Sequence, residues 1–139
     1  MAETIVFQET VRTFQIDFNH HVSNIIYIQW MEIGRLKLLE AIGLPVEQTE
    51  ADGYVPVLIE THITYKRPLH MGDTVEIQLW LSELSGVHAW MEFRFHKVGG
   101  GLVAEGRQKG IFFNVRRGRP KRLTEHERAG FLPYVGEDS

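Results

Sequence analysis

Between Ile25 and Ile42 the chain carries one long helical stretch that is apolar almost all round. Ile25, Ile28, Trp30, Met31, Ile33, Leu36, Leu38, Leu39 and Ile42 recur too broadly for one narrow stripe. The spacing therefore predicts a helix buried on more than half of its circumference. Ser23 or Asn24 is placed to cap it, and Gly43 followed by Pro45 stops it. Roughly 19 residues at about 1.5 Å each give a helix some 28 Å long.

What can bury such a helix is set by the rest of the chain, which reads almost entirely as strand. Ile5 to Phe14 forms an imperfectly alternating first strand, and "YVPVLIETHITYKRPL" a long one that Pro68 ends. "DTVEIQLWLSEL" places Val75, Ile77, Leu79 and Leu81 on one face, and "VHAWMEFRFHKV" does so with Ala89, Met91, Phe93 and Phe95. "GGG" at 99–101 turns the chain into "LVAEGRQKGIFFNV", where Gly106 and Gly110 suit bends, and a short helix near "LTEHERAGF" follows. The order predicts one strand, the helix, then four antiparallel strands in a meander. One flat sheet face would leave apolar helix surface wet. The expected class is therefore α+β, a curved antiparallel five-stranded sheet wrapped around one long central helix. The 139 residues make one domain, 1–139, large enough for a core without staples.

Composition removes several chemistries. The chain has no cysteine, which excludes disulfides, Cys-ligated zinc and thiol catalysis. The N-terminus lacks a basic region with an apolar segment behind it, and no apolar run is long enough to span a membrane, so the expected compartment is the cytoplasm. Net charge is −3 but uneven. Arg107, Lys109, Arg116, Arg117, Arg119, Lys121 and Arg122 lie between Gly106 and Arg122 with no acid among them, whereas the chain before Gly106 holds fourteen acids against seven bases. A local basic stripe on an acidic chain points to a focused anionic ligand rather than to nucleic acid.

The chemistry-bearing segment is "DFNHHVSN" at 17–24, just ahead of the helix. Asp17, His21, Val22, Asn24, Tyr27, Trp30, Glu32 and Arg35 match the pattern D-x-x-G-H-V-N-N-x-x-Y-x-x-W/F-x-E-x-x-R, with His20 and Ser23 replacing a glycine and an asparagine. "ITYKRPLHMGDTVEI" is similar to a Y-x-x-P-x-x-x-G-D run, and "RGRP" at 117–120 forms a third match. On these motifs the chain resembles the hotdog-fold acyl-CoA thioesterases of the 4-hydroxybenzoyl-CoA thioesterase family. The resemblance implies that Asp17 supplies the catalytic carboxylate, attacking directly or activating water. It also implies that the backbone N–H of Asn24 polarises the thioester oxygen, aided by the helix N-terminus. It implies an acyl-CoA substrate and a homo-oligomer, either a dimer or a dimer of dimers (a homotetramer).

Other readings of the same residues stand beside these. An aspartate before a helix is commonly a cap. His20 and His21 serve loop packing more often than catalysis, although a catalytic His21 would fit a hotdog hydratase or dehydratase. Glu32 and Arg35 suit an ion pair, yet Glu32 or Glu40 could hold the carboxylate on the helix instead. A non-catalytic acyl-CoA-binding protein is the third reading. If position 20 needs a left-handed backbone, His20 is strained there; the alternative is that its side chain narrows the pocket and alters the acyl group accepted. Arg107, Lys109, Arg116, Arg117 and Arg119 are expected at the CoA phosphates, the competing role being an aggregation-resistant sheet edge. The remaining histidines lack metal-ligand spacing, so neither metal nor cofactor is expected.

Overall fold

The computed structural model describes residues 2–136. Its strands are β1 (Ile5–Thr10), β2 (Tyr54–Tyr65), β3 (Thr74–Leu84), β4 (His88–Lys97), β5 (Gly101–Asn114) and β6 (Arg119–Lys121). They form one antiparallel sheet of six strands rather than five, in the order β1-β3-β4-β5-β2, with β6 paired to β5. The helices are α1 (Asn24–Ala41), α2 (Val46–Ala51) and α3 (Glu125–Phe131). α2 was not expected, and the first strand ends at Thr10 rather than Phe14, giving way to a single 3-10 turn at Thr13–Gln15.

The meander is only partly right. β3, β4 and β5 follow one another as predicted, but β2 crosses to the far edge and pairs with β5, from Tyr54↔Asn114 to Tyr65↔Ala104. The connection over 66–73 makes this crossing. Lys66 N–H donates to Val103 O, Leu69 is fully buried, and Gly72 N–H donates to Val11 O. Each strand carries the same alternation wherever it sits in the sheet, so periodicity could not fix the order.

The inward face was legible. Val75, Ile77, Leu79, Leu81 and Phe95 have no exposure, with Phe93 and Met91 nearly so. Against this face α1 buries Ile26, Tyr27, Trp30, Met31, Gly34, Leu38 and Leu39. Gly34 is needed for close approach, since a Cβ there would lie 3.3 Å from the rings of both Phe7 and Phe93. Gly106 also allows a close approach, because its Cβ would come 2.9 Å from the Met31 methyl. Tyr27 packs edge-on to Trp30, Tyr65 and Phe95, and burial together with Tyr65 pushes its hydroxyl up to about 12.

α1 is less enclosed than its composition predicted. Ile25, Ile28 and Leu36 stay exposed, so in a single chain one face of the helix is bare. The apolar residues that made the helix look buried all round are of two kinds, those on the sheet and those left uncovered.

Candidate active site

The segment before α1 is a tight loop. An antiparallel bridge joins Ile16 to Val22, Asp17 N–H donates to His21 O at 2.8 Å, and His20 N–H donates to Asp17 O at 2.9 Å. Asn19 N–H donates to Asp17 Oδ1 at 2.9 Å. Among the described residues Asp17 Oδ2 has no hydrogen-bond partner, so one carboxylate oxygen is anchored and the other is available. His20 has φ 65° and is the only non-glycine residue described with positive φ. The left-handed position expected to favour glycine is therefore real. The loop is tied down by Val22 N–H to Leu69 O and Ser23 N–H to Gln15 O, both 2.9 Å.

Ser23 occupies the N-cap of α1, but neither its hydroxyl nor the side chain of Asn24 caps the helix. The Ile26 N–H donates to Ser23 O, whereas the N–H groups of Asn24 and Ile25 find no acceptor among the described residues. Uncapped amides at the positive end of a helix are a ready anion site. His21 meets His70 ring edge to face, 5.1 Å between centroids, and His70 N–H donates to Asp73. Among the described residues no carboxylate pairs with His21 itself.

Glu32 and Arg35 pair as expected, at 3.7 Å. Sequence reasoning missed what lies behind them: Arg35 Nη1 donates to the fully buried Gln108 Oε1 at 2.7 Å, and Gln108 Nε2 donates to Thr61 at 3.2 Å. Burial lowers the Arg35 pKa, with Glu32 opposing the shift. These two residues border a cavity of about 430 Å³ between α1 and the sheet, lined otherwise mainly by apolar side chains. None of residues 17–24 lines it. Glu32 lies eight residues beyond Asn24, about 12 Å along the helix axis. Asp17 and the cavity of the same chain are thus not brought together. Glu40 is exposed and lies apart from the cavity lining.

The basic stripe divides in two. Arg107 and Lys109 do share a face, but it is the outer one, since Gln108 between them points at α1. There Arg107 pairs with Glu92 at 3.3 Å and lies 4.1 Å over the Trp90 ring, with Lys109 at 5.9 Å. Arg116, Arg117 and Arg119 are exposed at the β5–β6 hairpin, where Arg117 N–H donates to Asn114 Oδ1. Arg107 is seven residues before Asn114, about 23 Å along a strand. Lys121 is committed to Glu127 at 2.6 Å. Glu127 also accepts from the Tyr54 hydroxyl at 2.7 Å and from Thr124 N–H at 2.9 Å. The Thr124-x-x-Glu127 spacing, a capping box, was the available signal for this cluster.

A family model described as the thioesterase-like superfamily matches residues 11–131. YneP of Bacillus subtilis (strain 168), provisionally named an acyl-CoA thioesterase, is 28% identical over 90 residues, which cover 65% of this chain. The chain spans 63% of the length of that relative. The acyl-acyl carrier protein thioesterase ATL3, chloroplastic, of Arabidopsis thaliana is 22% identical over 139 residues, covering 99% of this chain and 73% of its own. Among solved structures, SAV2348 from Staphylococcus aureus in complex with CoA superposes with a TM-score of 0.91 at 18% identity, covering all of this chain and 89% of that one. That likeness shows a shared fold.

Proposed function

The chain belongs to the thioesterase-like superfamily, and from that membership we propose that it hydrolyses an acyl-CoA thioester to the free acid and coenzyme A. Its D-x-x-x-H-V-x-N motif supports a reading as the 4-hydroxybenzoyl-CoA thioesterase type within that group, with the hotdog arrangement of one long helix held by a curved sheet. The 139 residues act as one domain.

Asp17 is the catalytic carboxylate. The observation that carries this is its hydrogen bonding: Asn19 N–H holds one oxygen while the other is unpartnered, seven residues before an uncapped helix end. The free oxygen attacks the thioester carbonyl, or takes a proton from a water that does. The carbonyl oxygen becomes an oxyanion, and the Asn24 N–H stabilises it, a contribution of about 3 kcal/mol. Collapse expels the coenzyme A thiolate, which takes up a proton. When water attacks, this leaves the free acid; when Asp17 attacks, it leaves a mixed anhydride on Asp17 that a water then hydrolyses to the free acid and the Asp17 carboxylate.

A complete site takes a second copy of the chain. Asp17 and the acyl-sized cavity lie apart along one helix, and the bare face of α1 with Ile25, Ile28 and Leu36 is the surface to be covered. A two-fold pairing sets the Asp17 loop of one chain against the cavity of the other and covers both bare faces. The working species is a dimer or a dimer of dimers. Arg116, Arg117 and Arg119 meet the CoA phosphates, because they are exposed and mutually close, whereas Arg107 is already held by Glu92 and Trp90.

One second reading has an observation in its favour. Glu32 borders the cavity in the same chain and its side chain is 64% exposed, so it is the alternative base. A hydratase centred on His21 has less support, since His21 meets a second imidazole rather than an acid. No described helix is long and apolar enough to cross a membrane. Thiol release from short, long and aromatic CoA thioesters, with sedimentation of the same sample, tests the proposal. It predicts hydrolysis of at least one class by an oligomer. An active, folded monomer, or no thiol released from any of them, would refute it.

A further inference from the structure

We propose that the cavity bordered by Glu32 receives a straight saturated acyl chain in preference to an aromatic ring, and that Phe131 of α3 is its end wall. This deepens the thioester hydrolysis proposed above and rests on it. The cavity, about 430 Å³, falls within the size range of small-molecule sites. Its lining on α1 runs from Glu32 to Leu39, a rise of about 10 Å along the helix. Beyond Glu32 and Arg35 the walls are supplied by side chains such as Leu39, Leu58, Leu81 and Met91. His88 is the other titratable group on the lining, and its ring already meets Ser85 Oγ at 3.1 Å and Glu83 at 3.6 Å. A hollow with Glu32 and Arg35 at one end of its α1 wall and hydrocarbon along the rest fits a thioester head and an alkyl tail. Among the described residues, its interior beyond the Glu32 and Arg35 end offers an aromatic acid's ring hydroxyl no side-chain partner that is not already engaged.

α3 stands at the far end. A Cβ on Gly130 would lie 3.3 Å from Ile42, which puts α3 at the C-terminus of α1, opposite the Glu32 end. Phe131 lines the cavity there and packs on Phe112, ring centroids 6.2 Å apart. α3 is pinned rather than loosely docked, because the nearly buried Glu127 carboxylate accepts from Tyr54, Lys121 and Thr124. A pinned wall gives a defined maximum chain length.

The experiment is a chain-length series from butanoyl-CoA to hexadecanoyl-CoA, with benzoyl-CoA beside it, on the full chain and two variants. In the parent, kcat/KM should rise about fourfold per added methylene until the chain reaches the wall, then level or fall. Phe131→Ala should move the break to longer chains. Since that truncation also loosens α3, Ala89→Leu, which adds volume to the cavity wall, is the second variant and should move the break to shorter chains. A flat parent profile, a preference for benzoyl-CoA over every aliphatic substrate, or an unmoved break in Ala89→Leu would overturn the inference while leaving thioester hydrolysis intact. If no substrate releases thiol, the hydrolysis reading fails instead, and calorimetry with decanoate decides the cavity. Binding to the parent that Ala89→Leu weakens at least tenfold upholds it, and no binding, or equal binding, overturns it.

Discussion

Arg35 and Gln108 join the helix to the sheet: Arg35 Nη1 donates to Gln108 Oε1 at 2.7 Å across the interface between α1 and β5. Gln108 is fully buried and itself held by Thr61, so it has one fixed orientation in which to receive the guanidinium. Glu32, the ion-pair partner, is largely exposed and screened by water. Gln108→Leu should therefore cost about 2 kcal/mol, the worth of a hydrogen bond to a charged group left without its acceptor. Glu32→Gln should cost under about 1 kcal/mol. Urea denaturation of both variants checks the order, and equal losses would contradict it.

At His20 the backbone itself is the prediction. A side chain at φ 65° carries a strain of about 1–2 kcal/mol, and glycine removes it at an entropic cost of about 0.5–1 kcal/mol. His20→Gly should raise stability slightly, by about 0.5 kcal/mol, whereas His20→Val should lower it clearly because a branched side chain tolerates this conformation least. Thermal melts of the pair decide it. A His20→Gly variant less stable than the parent would show that the imidazole makes a contribution larger than the strain.

How far these features could be read from the sequence differed by kind. The inward faces of β3 and β4, the Glu32–Arg35 pair and the strained position 20 were all legible, because each depends on local spacing or on one backbone conformation. The place of β2 beside β5 was not, since the crossing depends on where Leu69 is buried rather than on any strand's own pattern. The Ser23 cap failed because a good capping residue can occupy the N-cap and still leave its hydroxyl unbonded. The basic stripe looked continuous because one-dimensional order hides both the outward face of Arg107 and the distance to the hairpin. Gln108, a polar residue inside an otherwise ordinary strand, carried no signal that Arg35 would be its partner.

Acid should release α3 first. Burial alone would raise the Glu127 pKa, but the bonds from Lys121, Thr124 and Tyr54 together hold it below 4.5. A depressed folded value contributes stability that is present above pH 4.5 and lost as pH falls through the folded pKa. The parent should lose melting temperature over that window more steeply than Glu127→Gln, which should already be about 2 kcal/mol less stable near neutrality. Parallel acid slopes in the two proteins would contradict this assignment.

For the divided basic stripe, the two halves should behave differently. Arg116→Ala with Arg117→Ala should raise KM for CoA thioesters and leave kcat near the parent value, and added salt should act in the same direction. A thioester of a short uncharged thiol, lacking the phosphates, should be unaffected. Arg107→Ala with Lys109→Ala should change KM much less. Equal losses on both substrates would make the hairpin arginines structural.

The central claim is that Asp17 performs the chemical step, and single-turnover thiol release by Asp17→Asn beside Glu32→Gln tests it most directly. The amide matches the carboxylate in shape but is a far poorer nucleophile and base, so Asp17→Asn should slow the step at least about a hundredfold with fold, oligomer and binding of a non-hydrolysable CoA analogue unchanged. Glu32→Gln should stay within about tenfold of the parent. Near-parental release by Asp17→Asn together with a dead Glu32→Gln would contradict the account and move the carboxylate onto the helix.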